Sequence, residues 1–267
     1  MCLLLVAWRV HPAFLLVVAG NRDEFYDRRT AALDWWSDDP RVLAGRDLAD
    51  TPAGDGTWMG VACGGRFAAV TNVRAPGDTR DGAASRGELP SRFLRGEQEP
   101  KRFLDELAAR DGAYNGFNLL VSDLRTLWWH SNRAPGDVPR LVTPGIHGVS
   151  NAALDTPWPK VRTGVAAFTE VLTADDGRPG APLGGYFEVL ADPTQVPDEV
   201  LPDTGIPLEW ERLVSSVFIS SPTYGTRSST VLRVRHDGSF DLAERSFGPE
   251  GAAAGERHMS GVLNIQN

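Results

Sequence analysis

The chain begins with Met1-Cys2-Leu3-Leu4-Leu5-Val6-Ala7-Trp8-Arg9-Val10, breaks at His11-Pro12-Ala13, and continues with Phe14-Leu15-Leu16-Val17-Val18-Ala19-Gly20-Asn21-Arg22-Asp23-Glu24-Phe25. Both apolar runs are rich in strand-forming residues, so they predict the two arms of a β-hairpin. If Val10 faces Phe14 or Leu15, the antiparallel register sets Cys2 opposite Arg22 or Asp23. The hairpin therefore predicts that a thiol meets an ionisable cluster.

The position of Cys2 directly after Met1 matters for its chemistry. If Met1 is removed, the thiol and a free α-amine share one residue, and an α-amine titrates at roughly 7.7–8.0. The thiolate is the nucleophile in cysteine chemistry, so Cys2 can supply both nucleophile and general base. A guanidinium nearby lowers a thiol pKa, and a carboxylate can orient the α-ammonium. Adjacent strand residues point to opposite faces, so Arg22 and Asp23 both reach Cys2 only if the strand ends or bulges there.

Two other interpretations of the same residues stay open. A cysteine near a terminus is often a small buried hydrophobe, and an Asn-Arg-Asp-Glu run is often a solvated strand exit. A secretory signal peptide is the second alternative, because the run from Phe14 to Gly20 is apolar and ends in small residues. Against a signal peptide, no Lys or Arg precedes the apolar stretch, and Arg9 and His11 split it.

Composition narrows the class of protein. The 267 residues suit one large domain, 1–267, and 27 basic against 35 acidic residues give a net charge of -8. This charge argues against nucleic acid as a partner. Cys2 and Cys63 cannot make a disulfide scaffold, so we expect a cytoplasmic protein. The two cysteines also lack the spacing of a zinc site, so no metal site is expected. Cys63 is predicted to be a buried cysteine in a strand. No stretch approaches eighteen uninterrupted apolar residues, so no membrane span is expected.

Further segments predict antiparallel hairpins joined by glycine-containing or polar turns. They are Thr57 to Cys63 with Arg66 to Val73, Phe117 to Val121 with Thr126 to His130, the single strand Ile146 to Ser150, and Ser229 to Arg235 with Ser239 to Ser246. The order of hairpins and helices predicts an α+β fold.

Two helical regions accompany these strands. Trp158, Val161, Val165, Phe168 and Leu172 repeat at helical spacing, and we assign the helix start to Asp155-Thr156-Pro157. The other region runs from about Ser91 to Ala109 and is interrupted at Pro100. Ala174 to Gly185 and Asp192 to Pro207 are rich in loop-forming residues and are expected to be surface loops.

Several polar residues outside the first hairpin are candidates for the site. Asn72 and Asn151 each follow a predicted strand, where an amide can donate to an oxyanion, although Asn at a strand end is also ordinary turn chemistry. Arg227 precedes a strand and can bind a carboxylate, support the thiolate or pair with a surface acid.

Aromatic and histidine residues raise the possibility of a pocket for a hydrophobic or macrocyclic ligand. The chain has 8 tryptophans, which can line a pocket for an acyl chain or a flat macrocycle, although most tryptophans belong to cores. His130, His147 and His258 are each possible haem ligands, but no Cys-x-x-Cys-His motif is present.

A series of short motifs follows in order along the chain. They are Met1-Cys2, Asn21-Arg22-Asp23-Glu24-Phe25, Gly56-Thr57-Trp58-Met59-Gly60, Thr71-Asn72-Val73-Arg74, Ser85-Arg86-Gly87, Asn115-Gly116-Phe117-Asn118-Leu119-Leu120, Ser150-Asn151, Leu154-Asp155-Thr156-Pro157-Trp158 and Tyr224-Gly225-Thr226-Arg227. Together these motifs resemble the NRDE family, the family of transport and Golgi organisation protein 2. The resemblance spans nearly the whole chain.

The resemblance implies a four-layer αββα sandwich of two antiparallel sheets, like the N-terminal nucleophile hydrolases, and a likeness to cysteine-type acylases. It implies Cys2 as nucleophile and base, Asp23 near the α-amine, Arg22 near the thiol, Asn72 and Asn151 as oxyanion donors, and Arg227 as support. In those acylases the Arg and Asp are separated by two residues, whereas Arg22 and Asp23 adjoin.

The leading hypothesis is an N-terminal-cysteine hydrolase of an amide or thioester bond in a small acyl substrate, with no cofactor required. Animal members of the family are linked to haem movement and to lipid and acyl-coenzyme A metabolism. The competing hypothesis is therefore a non-catalytic carrier of haem or acyl-coenzyme A that uses the same cleft. A pseudoenzyme kept for protein interaction is a third.

Overall fold

Two stacked antiparallel sheets dominate the molecule, as seen in a computed structural model. The structure describes residues 2–48, 56–134, 136 and 138–265. Met1 lies outside these residues.

The first sheet has six strands in the order β10-β1-β2-β11-β12-β13. Their bounds are β1 Cys2–Trp8, β2 Phe14–Phe25, β10 Gly145–Val149, β11 Tyr224–Arg235, β12 Ser239–Phe247 and β13 Ala253–Val262. The second sheet has seven strands in the order β3-β4-β5-β6-β7-β8-β9. These are β3 Thr30–Trp35, β4 Val42–Asp47, β5 Met59–Ala62, β6 Arg66–Asn72, β7 Phe117–Ser122, β8 Leu127–Ser131 and β9 Arg140–Leu141.

The helices are α1 Glu88–Arg95, α2 Pro100–Ala108, α3 Pro159–Ala174, α4 Gly184–Leu190 and α5 Leu208–Leu213. The first four cover the outer faces of the two sheets. Phe168 of α3 and Phe187 of α4 pack on the first sheet, and Phe93 of α1 and Phe103 of α2 pack on the second. Alternate strand residues such as Leu4 fill the core between the sheets. The predicted four-layer αββα sandwich is therefore confirmed.

The register of the first hairpin matches the prediction from its turn. Cys2 pairs with Arg22, and Leu4 pairs with Gly20 in the same antiparallel ladder. Because directly opposed residues share a face, Cys2 and Arg22 lie on the face between the sheets. Asp23 follows on the other face, which α3 and α4 cover. A bulge does occur here, but it lies in the neighbouring strand β11, between Thr226 and Ser228.

The predicted hairpins are present, and four strands were missed. β13 has almost wholly exposed residues, so it lacks the apolar alternation that marks a half-buried strand. The others missed are β3, β4 and the two-residue β9.

Three local predictions are corrected by the structure. Cys63 is exposed in the turn between β5 and β6, not buried in a strand. The α3 helix is capped by Trp158 without a side-chain hydrogen bond, because the Asp155 carboxylate instead accepts the N–H of Gly148 at 3.0 Å. The break between α1 and α2 begins at Gly96, which caps α1, and Pro100 starts the second helix.

Candidate active site

Cys2 opens onto a cavity of about 960 Å³ where the ends of the two sheets meet. The cavity is lined by Cys2, Arg22, Asp23, Glu24, Arg28, Asp47, Thr57, Trp58, Val70, Asn72, residues 82–88, Ala113 and Asn115. Residues far apart in the chain therefore form one site, and it contains four of the six predicted site residues.

The Cys2 backbone and thiol are both held by neighbouring groups. The Ser150 hydroxyl donates to the Cys2 carbonyl at 2.8 Å, and the Asp23 backbone N–H hydrogen-bonds the thiol. Burial raises the pKa of the Cys2 thiol, while the Asp23 N–H and the charge of Arg22 act in the opposite direction. A group that removes the thiol proton is therefore needed for attack near neutral pH.

The Asp23 carboxylate lies behind Cys2 among buried polar groups. It accepts a hydrogen bond from the Thr226 hydroxyl at 2.8 Å. Burial raises the pKa of Asp23, and the nearby Lys160 ammonium opposes the rise. Lys160 is itself buried, donates to the Val214 carbonyl at 2.9 Å, and has a pKa lowered to about 8 by burial. Asp23 can thus hold a cation on the far side of the thiol.

Arg22 stands on the cavity side of the thiol. Its guanidinium lies 5.0 Å from the centre of the Trp58 ring, and its Nη2 is 3.6 Å from Asp47 Oδ2. Asp47 is also bonded by Arg28, whose Nε donates to Oδ2 at 2.8 Å. Arg22 and Asp23 both lie near Cys2, as the sequence patterns predicted. The two side chains lie on opposite sides of Cys2.

The two asparagines are brought together, but only Asn72 lines the cavity. Asn72 ends β6 and is half-buried. The Asn151 amide donates to the Asn72 carbonyl at 2.8 Å, and its Oδ1 lies 3.2 Å from the Ser150 hydroxyl oxygen, whose proton is donated to the Cys2 carbonyl. Asn151 therefore positions Asn72, and its own role as an oxyanion donor stays a prediction.

Arg227 is not among the residues that line the cavity. Its Nη1 donates to the carbonyls of Phe25 at 2.8 Å and Arg28 at 2.9 Å, and its Nη2 donates to the Thr30 hydroxyl at 3.1 Å. It holds the turn from β2 to β3, which carries Arg28 into the cavity wall. Any support it gives the thiol acts through that turn.

Other residues of the site carried weak signals in the sequence. Arg86 lies in the Ser85-Arg86-Gly87 motif, which suggested no role, and Lys160 is the second residue of a helix identified by its apolar spacing alone. Trp58 is the tryptophan that lines the cavity, whereas Trp36 and Trp129 are fully buried core residues.

None of the described histidines lines the cavity. His130 is buried against Asp111 at 2.9 Å, and both ring nitrogens of His147 are bonded, to Asp155 at 2.8 Å and to the Thr143 carbonyl at 3.0 Å. His258 is exposed on β13 beside Glu256. Haem in this cavity would have no histidine ligand from the described residues.

Fold and site together define an αββα protein with a cysteine on its first strand that opens into a large cavity with several charged side chains in its wall. The family model for Transport and Golgi organisation 2 matches residues 1–249, and the chain belongs to that family. The Transport and Golgi organization protein 2 homolog of Bos taurus is 36% identical over 262 residues, or 92% of this chain and 93% of that protein. The family expected from the sequence motifs is thereby confirmed.

Two solved structures share a distant likeness with the chain. The Caenorhabditis elegans ortholog of N-acylethanolamine-hydrolyzing acid amidase has a TM-score of 0.40 at 12% identity, covering 86% of this chain and 92% of that chain. A mutant of the conjugated bile acid hydrolase from Clostridium perfringens has a TM-score of 0.46 at 9% identity, covering 100% of this chain and 94% of that chain. Both likenesses are too weak to carry a functional argument.

None of the helices within the described ranges is long and apolar enough to cross a membrane.

Proposed function

We propose that the protein is an N-terminal-cysteine hydrolase that cleaves an amide or thioester bond of a small acyl substrate. The observation that carries this proposal is the placement of the Cys2 thiol on the wall of the 960 Å³ cavity, opposite Arg22 and bonded by the Asp23 N–H. A nucleophile, a cation and a backbone donor thus converge on one point beside space for a ligand.

The reaction begins on a chain whose first residue is Cys2. The α-amine of Cys2 takes the thiol proton, and the sulfur attacks the substrate carbonyl carbon. Asn72, on the same cavity wall, donates to the oxygen that becomes negatively charged. When the tetrahedral intermediate collapses, the bond to nitrogen or sulfur breaks and the leaving group takes the proton from the α-ammonium. An acyl thioester remains on Cys2.

Water completes the cycle. The α-amine accepts a proton from the attacking water, a second tetrahedral intermediate forms and collapses, and the thiolate leaves and recovers the proton. The acyl group is released as a carboxylic acid. Asp23, buried behind the thiol, stabilises the ammonium form of the amine during both steps.

Turnover of a panel of p-nitroanilide amides and acyl thioesters tests this function. We expect Cys2→Ala to abolish turnover of any substrate that the wild type cleaves, with Cys63→Ser as the matched cysteine substitution that retains it. Turnover that persists in Cys2→Ala would overturn the proposal. Saturable haem binding that survives Cys2→Ala, without turnover of any panel member by the wild type, would support the carrier hypothesis instead.

A further inference from the structure

Three guanidinium groups line the cavity, and they differ in their partners. Arg28 bonds Asp47 and lies 3.9 Å from Glu24, and Arg22 lies 3.6 Å from Asp47. Arg86 forms no ion pair with any residue that the structure describes. Its Nη1 donates to the Gly116 carbonyl at 3.1 Å.

The free edge of the Arg86 guanidinium has the geometry of a carboxylate site. With Nη1 held by Gly116, the Nε and Nη2 donors have no partner within the described part of the chain. These two parallel N–H groups are the edge that binds a carboxylate side-on through two hydrogen bonds. Arg86 is half-buried, so its cation has lost part of its hydration, and burial lowers its pKa. A bound anion would replace that hydration.

Backbone contacts fix Arg86 at this place. The Thr57 N–H donates to the Gly87 carbonyl at 3.0 Å, directly after Arg86. A Cβ on Gly56 would lie 2.8 Å from the Gly87 carbonyl carbon, so the two backbones touch. Arg86 and Cys2 both line the cavity. The Arg86 guanidinium, which has no ion-pair partner among the described residues, is therefore held in the same cavity as the nucleophile.

We propose that Arg86 binds a carboxylate on the acyl substrate, so that the protein prefers acidic amides or thioesters in which a short spacer separates carboxylate and scissile carbonyl. This inference rests on the proposed hydrolase function of Cys2. Glutaryl amides have this form. Arg86 is then a residue that determines specificity, not the base or the nucleophile.

Alkylation of Cys2 tests the anion site without requiring turnover. Iodoacetate and iodoacetamide are nearly the same size and differ in charge, so their rate ratio at Cys2 reports an anion site beside the thiol. The exposed Cys63 gives the intrinsic ratio in the same sample. We expect Arg86→Gln to lower the Cys2 ratio on the order of tenfold, the size expected for one partly screened charge pair. The matched control is Arg95→Gln, an exposed arginine at the end of α1, the helix that Arg86 precedes.

One further variant and two competing ligands complete the test. Arg86→Lys, which keeps the charge without the planar fork, is expected to retain most of the iodoacetate preference and to lose protection of Cys2 by glutarate. An unchanged ratio in Arg86→Gln would overturn the proposal, as would an equal fall in both rates, which would mean that Arg86 acts on the thiol. Protection by glycerol phosphate but not by glutarate would overturn the carboxylate assignment.

Substrate preference then separates this proposal from the function on which it rests. Glutaryl-p-nitroanilide should be cleaved with a lower KM than pentanoyl-p-nitroanilide by the wild type, and Arg86→Gln should remove that difference. Cleavage of both at equal KM would overturn the anion site and leave the hydrolase intact. The hydrolase would be overturned, and the anion site would stand, if neither amide is cleaved while the ratio of iodoacetate to iodoacetamide rates at Cys2 still falls in Arg86→Gln.

Discussion

At the scale of single residues, the Cys2 thiol is governed by burial and by the charge beside it. Arg22→Gln removes a cation that favours the thiolate, so the pKa of Cys2 should rise further above its ordinary value. The alkylation rate of Cys2 as a function of pH measures this change, in a Cys63→Ser background so that the exposed thiol does not react. Arg95→Gln serves as the control. A profile that stays in place or moves to lower pH would contradict the assigned role of Arg22.

Glu244 is a second residue whose titration has a measurable consequence. It is buried, its pKa is raised to about 7 by burial, and it accepts bonds from the Leu33 N–H at 2.8 Å and the Thr230 hydroxyl at 3.2 Å. Above pH 4.5, the ordinary pKa of a glutamate, the unfolded state releases this proton, whereas the native state keeps it up to about pH 7. The contribution of Glu244 to the free energy of unfolding should therefore fall as the pH rises from about 4.5 to about 7.

Glu244→Gln keeps the shape of this group and removes its titration. We expect the variant to match the wild type below pH 4.5 and to be more stable above pH 7, by on the order of 3 kcal/mol. Urea unfolding at several pH values measures the difference, and Glu170→Gln on the exposed face of α3 is the control. Equal unfolding free energies of variant and wild type at pH 8 would refute this account of Glu244.

At the scale of elements, a buried ion-pair network ties the end of α3 to the strands beneath it. Asp175 Oδ2 accepts from Arg233 Nη1 at 2.7 Å and from the Tyr186 hydroxyl at 3.0 Å, and Arg233 is fully buried in β11. Asp175→Asn removes one of the carboxylates that compensate this cation and should cost about 3 kcal/mol of unfolding free energy.

The neighbouring residue supplies the control for that network. Asp176 pairs with Arg178 in an exposed contact, so Asp176→Asn should change stability by less than about 1 kcal/mol. Denaturant unfolding of both variants gives the comparison. Equal losses at the two positions would show that the buried network does not tie α3 to the sheet.

Strand β4 shapes the cavity through a close contact with Trp58. A Cβ on Gly45 would lie 2.1 Å from Cη2 of the Trp58 ring, so the ring must move to admit it. Gly45→Ala should therefore displace Trp58 from Arg22, shift the tryptophan fluorescence, and cost about 1–3 kcal/mol. Gly64→Ala, where a Cβ meets nothing within 4 Å, is the matched control. Identical spectra of Gly45→Ala and wild type would exclude the contact.

Elements also show why the sequence predicted some features and missed others. One break at His11-Pro12-Ala13 sufficed to place Cys2 opposite Arg22 or Asp23, because register propagates residue by residue from a turn, and the structure selects Arg22. β13 was missed because nearly all of its side chains are exposed, so its sequence carries no alternation of apolar and polar residues. Cys63 was misplaced because the hairpin turn takes in one residue before Gly64-Gly65.

At the scale of the whole molecule, the site exists because two sheets stack and their ends meet. Cys2 and Arg22 belong to the first sheet, whereas Asn72 belongs to the second and Arg86 to the segment that enters α1. Local pattern and pairing rules predict residues within one hairpin, but the juxtaposition of two sheets depends on tertiary packing. Asn151 shows the same limit, since its strand-exit position did not reveal that its amide is bonded to Asn72.

The central claim is that Cys2 is the nucleophile and first residue of the mature chain. Intact mass of the purified Cys63→Ser protein, before and after brief exposure to p-nitrophenyl acetate at neutral pH with an acid quench, tests it most directly. The account predicts a mass that lacks Met1 and gains one acetyl group, mapped to Cys2 and absent in the additional Cys2→Ala variant. A chain that retains Met1, or an acetyl group mapped elsewhere, would contradict it.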